Sequence, residues 1–379
     1  MKEEELRERA GENLDIYVVC VSLDRFRNYL HLDVDLDRGF NLITGINGQG
    51  KTNFLESLYL LSTTRLLRGQ RDAEAVLEGE TMAYVSCELS SHTELGMTIE
   101  PGARKRASLN GVKLPKAADV IGRLPCVSIS SFDLDIVKGE PSDRRLFLDL
   151  ELSALSPAYL KHLAVYKRAV EQRNALLRDS REVRRPPELF ETWEEQIASA
   201  GAAIRQARRA YVEELRPIAR QRHATMADGE QFDLEYVQKG EEMTADRMIE
   251  ELAQSRHVDI VRGGTSVGPH RDDLLLLVGG RDARLFGSQG QQRTSVVALK
   301  LATLAHQSRM LRQPPLLLLD DILSDLDERR RSLLVQIVLD EAGQTILTCT
   351  EESAAGPEVL RRAKIFHTRK DELGHAFLT

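Results

Sequence analysis

The chain has 379 residues, of which 42% are hydrophobic and 29% are charged, as in an ordinary globular protein of two or three domains. Its 52 basic and 59 acidic residues give a net charge of −7, which argues against a simple coat protein for nucleic acid. No apolar run approaches the roughly 18–20 residues that span a membrane. The acidic segment 1–13 lacks the apolar core of a secretion signal, and we predict that it is an extension before the first strand.

The sequence also contains four cysteines and three clusters of basic residues. The four cysteines, Cys20, Cys87, Cys126 and Cys349, lie far apart, and no two have the C-x-x-C spacing of a zinc site. We therefore predict buried, reduced thiols in a cytoplasmic protein. Basic residues cluster at 65–71, 104–106 and 205–222, and each cluster is either a solvated face or part of a nucleic-acid footprint.

The first predicted elements are antiparallel strands. Apolar residues alternate with polar or small ones on both sides of the turn 25–28: Val19, Val21 and Leu23 before it, and Leu30, Leu32, Val34 and Leu36 after it. A period of two predicts a pair of strands with one buried face. From about 83 to 129 short β-like runs alternate with turns, and Asn110-Gly111 predicts a hairpin.

Between these two regions lies a phosphate-binding pattern, G-x-x-x-x-G-K-[ST]. It consists of Gly45, Ile46, Asn47, Gly48, Gln49, Gly50, Lys51 and Thr52. A buried strand at 40–44 precedes it and an amphipathic helix at 53–61 follows it, which is the context the pattern requires. Lys51 would reach the β- and γ-phosphates, and the Thr52 hydroxyl would ligate Mg²⁺. Because both flanks fit, a chance match in an ordinary glycine turn is disfavoured.

The middle of the chain predicts two long helices. Apolar residues recur at helical spacing in two stripes: Leu155, Tyr159, Leu163, Tyr166, Val170 and Leu177, then Trp193, Ile197, Ile204, Tyr211, Leu215 and Ile218. Residues 185–187 should separate the helices, and Pro217 should interrupt the second. Facing stripes favour an antiparallel helical arm over two core helices of the main domain.

A second anion-binding helix start is predicted near residue 288. Ser288, Gln289, Gly290, Gln291, Gln292 and Arg293 lead into an amphipathic helix that Ser288 can cap. A single γ-phosphate does not need two separate anion-binding sites from the same subunit. We therefore predict that this helix binds the phosphate held by a second copy, so that ATP joins a homodimer. The alternative is a capped surface helix.

Two carboxylates follow the apolar run 315–319, which predicts a parallel strand buried on both faces. Ligands of open α/β sheets bind at the carboxyl ends of the strands. Asp320 would hold Mg²⁺ through water, and Asp321 would orient or deprotonate the attacking water. Ser324, Asp325, Leu326 and Asp327 would line the dimer seam, although Ser324 could also be a plain helix N-cap.

In this order, the motifs resemble the ATP-binding-cassette (ABC) superfamily, its SMC/Rad50-like heads, and most specifically the RecF family of bacterial DNA replication and repair. The resemblance rests on the segments already described and on five further motifs. These are Phe26-Arg27-Asn28-Tyr29, residues 137–145 with Phe147-Leu148-Asp149, Tyr166-Lys167-Arg168, Gln172-Arg173-Asn174, and Gly268-Pro269-His270-Arg271-Asp272-Asp273. The resemblance covers nearly the whole chain after residue 14.

The resemblance implies an α/β fold: a P-loop ATPase head with an antiparallel β subdomain and an inserted α-helical arm domain. It assigns 14–150 and 233–379 to two lobes of the head and 151–232 to the arm. It implies weak, DNA-stimulated hydrolysis of ATP with Mg²⁺, residues 45–52 as the Walker A loop, 288–293 as a signature acting in trans, and 324–327 as the D-loop. The implied partners are DNA, a second copy, RecR, RecO and RecA, and no membrane.

Two departures from cassette ATPases bear on hydrolysis. The residue after the Mg²⁺ aspartate is usually glutamate in that superfamily, whereas this chain has Asp321. A carboxylate one methylene shorter lies further from the water, so we expect slow hydrolysis. The switch histidine of transporters is also missing, and Thr348 and Thr350 are nearest to its position.

Other classes of protein explain fewer of these motifs. A transporter subunit would normally carry the missing glutamate and histidine, and too few residues separate Lys51 from Ser288 for the long coiled coil of a full SMC protein. A nucleotide kinase explains Lys51 but leaves the segment at Ser288 without a role. His270 with Asp272 and Asp273 could form a metal cluster, but a site usually needs more ligands, so a structural loop contact is favoured.

Overall fold

The computed structural model describes residues 16–68, 71–183, 185–239 and 244–379. The extension predicted at 1–13 lies outside these residues. The chain forms two compact units: the first contains the described residues up to Asp133 together with Thr303–Thr379, and the second is Leu134–Ala302. None of the helices in the described part of the chain has the length and apolar character needed to cross a membrane.

The strands are numbered in chain order. They are β1 (Val18–Phe26), β2 (Tyr29–Asp35), β3 (Phe40–Thr44), β4 (Ala83–Leu89), β5 (Glu94–Ile99), β6 (Arg106–Leu109), β7 (Val112–Lys113), β8 (Cys126–Ser130), β9 (Phe232–Val237), β10 (Asp273–Val278), β11 (Arg281–Asp282), β12 (Leu316–Asp320), β13 (Thr345–Cys349), β14 (Ala363–Lys370) and β15 (Ala376–Leu378).

The helices follow the same order. They are α1 (Lys51–Thr63), α2 (Asp135–Lys138), α3 (Pro141–Leu155), α4 (Pro157–Asp179), α5 (Glu188–Met226), α6 (Ala245–Arg262), α7 (Ala283–Phe286), α8 (Gln289–Leu311), α9 (Glu328–Glu341) and α10 (Pro357–Arg362).

The first unit contains an antiparallel sheet in the order β2-β1-β4-β5-β6-β7. The predicted pairing of the first two strands is confirmed, with Leu23 opposite Leu32. The prediction that Val19 faces the core is wrong, because the register of β1 against β4 shifts between Val18 and Cys20 and it is Val18 that is buried. Such a bulge moves one residue to the other face of a strand. Leu30 is exposed for a different reason, since Tyr29 takes the buried position at the start of β2.

The hairpin predicted at Asn110-Gly111 is confirmed. Leu109 pairs with Val112 across a loop of two residues. Both loop residues have positive φ angles, 49° at Asn110 and 75° at Gly111. This combination gives the turn whose twist matches that of paired strands, and asparagine followed by glycine adopts it at low cost.

A second sheet of the first unit has the order β15-β14-β3-β13-β12-β8. The strands β3, β13, β12 and β8 run parallel to their neighbours, and every residue in them is buried. The predictions of buried strands at 40–44 and 315–320 are therefore confirmed. The cysteines Cys87, Cys126 and Cys349 are buried thiols in strands, and Cys20 is a partly buried one in β1.

The second unit contains the two long helices predicted from the apolar stripes. α4 and α5 run antiparallel, since Tyr159 near the start of α4 contacts Arg208 of α5, and Arg173 near the end of α4 contacts Glu194 near the start of α5. The break predicted at 185–187 is confirmed, because α4 ends at Asp179 and α5 begins at Glu188.

The interruption predicted at Pro217 is wrong, because α5 continues through it to Met226. Proline removes one backbone hydrogen bond, that to the carbonyl four residues earlier. Pro217 lies on the exposed face of α5, where water can bind the freed carbonyl, while Leu215 and Ala219 are fully buried. Burial of the apolar stripe outweighs the local defect.

The same unit holds the three-stranded sheet β11-β10-β9 and several buried ion pairs. Arg205 pairs with Asp272 at 2.8 Å and Arg208 with Asp149 at 2.7 Å, and both arginines are buried. These two arginines of the basic cluster at 205–222 therefore belong neither to a solvated face nor to a nucleic-acid footprint. Helical periodicity did not predict this, because it does not show which carboxylate will pair with an arginine in the core. This unit contains the residues of the predicted arm, and the boundaries 14–150, 151–232 and 233–379 stay a prediction.

Candidate nucleotide site

The carboxyl ends of four parallel strands meet at one edge of the buried sheet in the first unit. In the registers between strands, Asp320 at the end of β12 lies beside Ser130 of β8 and Thr348 of β13, and Cys349 lies beside Thr44 of β3. The loop 45–50 leaves β3 at this edge and leads directly into α1. The phosphate-binding pattern and the acid pair, far apart in sequence, therefore share one edge, where open α/β sheets bind ligands.

Two glycines of the loop are required by their conformation and by their neighbours. Gly45 has φ 146° and Gly50 has φ 116°, a region that other residues rarely adopt. A methyl group on Gly50 would lie 3.0 Å from the Asn28 amide and 3.1 Å from the Ala376 methyl. At Gly48, which also has a positive φ angle, the same group would meet open space.

The side chain of Lys51 lies within the loop that precedes it. Its ammonium group donates hydrogen bonds to the carbonyl of Gly45 at 2.5 Å and to that of Ile46 at 3.3 Å. Burial lowers the pKa of Lys51 below its ordinary value, an effect that the nearby Asp321 and Asp320 oppose. No carboxylate of the described residues lies within ion-pair distance of this cation, so its charge is available to an anion in the loop.

Thr52 and Asp320 are in direct contact. The Thr52 hydroxyl donates to Oδ1 of Asp320 at 2.9 Å, and the Thr348 hydroxyl donates to the same oxygen at 2.9 Å. Burial raises the pKa of Asp320, and these two hydrogen bonds offset that effect only in part. Hydroxyl and carboxylate oxygens are the hard donors that Mg²⁺ prefers, so this pair fits the predicted metal site.

Asp321 has an unusual backbone conformation. Its φ angle is 51°, which is uncommon for a residue other than glycine, and its backbone N–H donates to the Thr348 hydroxyl at 3.0 Å. The Ser324 hydroxyl donates to the carbonyl of Asp321 at 2.7 Å and to its carboxylate at 2.9 Å. Thr348 and Ser324 thus hold the second acid of the pair in place. Strain of this kind concentrates at functional sites.

The helix-cap alternative for Ser324 is wrong. Asp327 is the N-cap of α9, since its carboxylate accepts the backbone N–H of Arg330 at 2.9 Å. Ser324 lies in a short 3₁₀ turn, Ile322–Asp325, and binds Asp321 instead. Leu326 is buried, and its carbonyl accepts a hydrogen bond from Arg331. The role of this segment in a dimer seam stays a prediction.

A turn from the antiparallel sheet supports the loop. Asn28 donates its amide to the carbonyl of Gln49 at 3.3 Å, and its side-chain oxygen accepts from Asn53 at 2.7 Å. The buried Tyr29 hydroxyl donates to the carbonyl of Gly50 at 3.2 Å. These contacts fix the end of the loop and the first turn of α1, because they join both to the turn between β1 and β2.

A buried ion pair lies beneath the same helix. Glu56 of α1 is fully buried and accepts a hydrogen bond from Arg27 at 2.6 Å. The other carboxylate oxygen of Glu56 accepts the backbone N–H of Leu67 at 3.0 Å. Glu56 thereby connects α1 to the segment that contains Arg68, whose charge partly offsets the rise that burial causes in the pKa of Asp320. Glu56 was not predicted as a supporting residue, although an acidic residue between Leu55 and Leu58 in an apolar helix is a usable signal.

The segment 288–293 belongs to the second unit. The Ser288 hydroxyl accepts the backbone N–H of Gln291, and the Gln291 side chain accepts the backbone N–H of Ser288 at 2.8 Å. This reciprocal arrangement is a capping box, so the predicted cap of α8 is confirmed. Gln292 is buried and donates to the carbonyl of Ala283 at 2.9 Å, while Leu285 and Phe286 just before the segment are exposed. Contact between the segment 288–293 and a phosphate stays a prediction.

His270, Asp272 and Asp273 have separate structural partners. Nε2 of His270 donates to the carbonyl of Thr265 at 2.9 Å, and Nδ1 accepts from the Tyr166 hydroxyl at 2.5 Å. Asp272 binds Arg205, and Asp273 binds Arg144 at 2.7 Å. Because both ring nitrogens and both carboxylates are engaged in the fold, the favoured alternative, a structural loop contact, describes these residues.

Comparison with known families agrees with this geometry. A model of the RecF/RecN/SMC N terminal domain matches residues 17–370. The chain therefore belongs to the RecF/RecN/SMC family, and the predicted ABC-type ATPase fold is confirmed. Two solved structures of heads from that family, one of them the Smc head domain of Pyrococcus furiosus bound to the C-terminal domain of ScpA, have TM-scores of 0.55 and 0.56 at 16% and 15% identity and share the fold.

Within that family the chain belongs with the RecF proteins of DNA replication and repair. The DNA replication and repair protein RecF of Symbiobacterium thermophilum is 42% identical over 352 residues, covering 89% of this chain and 92% of the relative. That of Agathobacter rectalis is 36% identical over 363 residues, covering 94% and 98%. The recombination mediator protein RecF-ATP in the RecFOR pathway is 30% identical, with a TM-score of 0.84 and coverage of 93% and 95%.

Proposed function

We propose that this protein binds DNA in an ATP-dependent manner, forms a homodimer around two ATP molecules and hydrolyses them slowly. The observation that carries the proposal is the convergence of Lys51, Thr52, Asp320 and Asp321 at one edge of a buried parallel sheet. Similar solved structures of the recombination mediator protein RecF, as RecF-ATP and as RecF-ATPrS, support ATP as the nucleotide.

Each residue of this edge has a distinct task in the proposal. Lys51 would neutralise the β- and γ-phosphates, and the backbone N–H groups of 45–50 would cradle them. Thr52 would hold Mg²⁺ directly and Asp320 would hold it through water. ATP with Mg²⁺ supplies the phosphoryl group, while Asp321 orients or deprotonates the attacking water.

Two features support slow hydrolysis. The carboxylate of Asp321 is one methylene shorter than the glutamate usual in cassette ATPases. It also accepts a hydrogen bond from Ser324, which occupies part of its capacity to accept a proton from water. A slow reaction suits a protein in which ATP acts as a timed clamp, and we propose that DNA stimulates it.

The dimer is proposed from the second anion site. The capped start of α8 presents Ser288, Gln289 and Gly290 at the positive end of a helix of 23 residues. In the proposed dimer, this segment binds the phosphates held by Lys51 of the other copy, and Ser324–Asp327 lines the seam. Dimerisation around two nucleotides would then form the surface that binds DNA.

Family membership supports the choice of DNA as ligand and the other partners. We propose binding to gapped, single-stranded and double-stranded DNA, and action with RecR and RecO in placing RecA on DNA during recombinational repair and the SOS response. The similar RecF proteins act in DNA replication and repair, which supports this role, and a similar structure from the RecFOR pathway supports RecR and RecO as partners.

Nucleotide-dependent DNA binding tests the proposal directly. Fluorescence anisotropy with a labelled gapped duplex should show binding with ATP that is lost in Lys51→Met and prolonged in Asp321→Asn. Asp340→Asn, an exposed aspartate on α9, is the matched control and should behave as the parent. Affinity should fall steeply with salt, because phosphate contacts release counterions. A DNA affinity that is the same with and without ATP, and the same in Lys51→Met as in the parent, would contradict the proposal.

A further inference from the structure

A cavity of about 230 Å³ lies in the Leu134–Ala302 unit, apart from the residues proposed to bind nucleotide. Four chain segments form it: the first half of α3, the middle of α4, the middle of α5, and the loop before β10. Its polar lining consists of Ser142, Arg145, Asp149, Lys167, Arg208 and His270, together with the hydroxyl of Tyr166. The proposed function assigns no role to any of these residues.

The lining is strongly cationic. Arg145, Lys167 and Arg208 face a single carboxylate, Asp149. That carboxylate is already engaged, since Oδ1 accepts from Arg208 at 2.7 Å and from the Tyr159 hydroxyl at 2.6 Å. The Lys167 ammonium lies 3.6 Å from its other oxygen and is 62% exposed. The lining therefore has an excess of two positive charges when His270 is neutral.

Arg145 is the cation with the most unused capacity. Its guanidinium donates one hydrogen bond, from Nη1 to the carbonyl of Asp272 at 2.9 Å. Across the described ranges, no carboxylate lies within ion-pair distance of it. Burial and the like charge of Arg208 lower its pKa, an effect that the charges of Asp273 and Asp272 offset only in part. Arg145 and Arg208 line the same cavity, where their like charges repel each other, and an anion bound between them would relieve that repulsion.

The remaining groups are fixed in place. Arg208 also donates to the carbonyl of Pro269 at 2.8 Å and to the Tyr159 hydroxyl at 3.1 Å. Burial lowers the pKa of His270 to about 4, so the ring is neutral at pH 7, and its two nitrogens bind Tyr166 and Thr265. A site whose donors are held by other contacts loses little entropy when it binds a ligand.

We propose that this cavity binds a phosphate group, held by the guanidinium groups of Arg145 and Arg208 and the ammonium group of Lys167. The planar fork of arginine matches phosphate geometry, and an excess of two charges suits a phosphate better than a single carboxylate. Two sources share this chemistry: a phosphate of the DNA strand, which rests on the proposed function, and free inorganic phosphate.

The first arm of the test measures DNA. Arg145→Gln/Lys167→Gln is compared with Lys161→Gln/Arg247→Gln, which removes the same charge at exposed positions of α4 and α6 outside the cavity. With ATP and a gapped duplex, the negative slope of log affinity against log salt should become shallower by roughly 1.8 in the first variant, about 0.9 for each contact, and should stay near the parent value in the control. Lys167→Gln alone tests the site without touching a buried side chain.

The second arm measures inorganic phosphate without DNA. Thermal unfolding is followed in phosphate and in chloride of equal ionic strength, for the parent and both double variants. A phosphate-specific rise in Tm for the parent and the control, but not for Arg145→Gln/Lys167→Gln, assigns the site to free phosphate. A change in the DNA slope without this rise assigns it to the strand, and both results support the proposal.

Two results would overturn it. One is an unchanged DNA slope together with no phosphate-specific rise in Tm, which would leave an acidic protein segment as the candidate ligand. The other is an equal effect in Lys161→Gln/Arg247→Gln, which would make the change a general charge effect. If the parent binds no DNA at all, the proposed function fails, and the phosphate arm alone still decides whether the cavity binds phosphate.

Discussion

Thr52 and Asp320, which are 268 residues apart in the sequence, share a hydrogen bond of 2.9 Å. The contact joins the first turn of the helix after the glycine loop to the end of β12, which lies between β13 and β8 in the sheet. Thr348 completes the arrangement, because it donates to Asp320 and accepts from the backbone of Asp321. The two acids are therefore oriented by one threonine hydroxyl on the adjacent strand.

Thr348→Val should reduce ATP hydrolysis while nucleotide binding is kept. The substitution removes the hydroxyl that positions both acids and leaves Lys51 and the loop intact. We expect kcat to fall by roughly tenfold to a hundredfold, as for the loss of an orienting hydrogen bond to a charged group, with KM little changed. Thr345→Val on the same buried strand is the control, since within the described part of the chain its hydroxyl donates only to the carbonyl of Gly343, at 3.4 Å. Equal losses in the two variants would show that strand stability, rather than orientation, is responsible.

Gly50→Ala should damage the loop more than Gly48→Ala. Both glycines have positive φ angles, so both variants carry a backbone strain of about 1 kcal/mol. Only the methyl group at position 50 meets neighbours, at 3.0 Å from Asn28 and 3.1 Å from Ala376. Calorimetric titration with ATP should show a loss of affinity at position 50 that exceeds that at position 48 by about tenfold. Equal affinities would mean that the turn at Asn28 does not support the loop.

Arg27→Ala should destabilise the first unit strongly. It leaves Glu56 as an unpaired carboxylate in a fully buried position, and breaking such a pair costs about 3–5 kcal/mol. Arg25→Ala is a close control, because Arg25 also has a positive φ angle and an ion pair, but its side chain is 38% exposed. The control should cost less than about 1 kcal/mol in the free energy of unfolding by urea. Similar costs for the two variants would contradict the buried role of Glu56.

Much of this site follows from sequence alone, because the glycine loop and the acid run have fixed spacing and depend on local rules. The strand at 40–44, the helix after it, the cap at Ser288 and the hairpin at Asn110 were predicted for the same reason. The bulge that buries Val18, the continuity of α5 through Pro217 and the core pairing of Arg205 and Arg208 were missed. Each depends on a partner distant in sequence, and the periodicity of one segment contains no information about that partner.

Stability should fall as pH decreases from 6.5 to 4, in part through His270. Its folded pKa of about 4 lies below the ordinary value of 6.5, so in this window the unfolded chain binds the extra proton. Folding stability is therefore full above pH 6.5 and is lost as pH falls towards 4, by on the order of 2–3 kcal/mol from this group. His270→Gln should flatten the pH profile of the free energy of unfolding, whereas His92→Gln, at an exposed position, should not. An unchanged profile in His270→Gln would show that the ring is accessible to protons in the folded state.

Sedimentation velocity with a non-hydrolysable ATP analogue tests the central claim most directly. The proposal predicts monomers without nucleotide and dimers at saturating analogue. It also predicts that Ser288→Arg binds the analogue as tightly as the parent does but remains monomeric, because the added side chain fills the space of the phosphate held by the other copy. Monomers of the parent at saturating analogue, or dimers of Ser288→Arg, would contradict a dimer closed around two shared nucleotides.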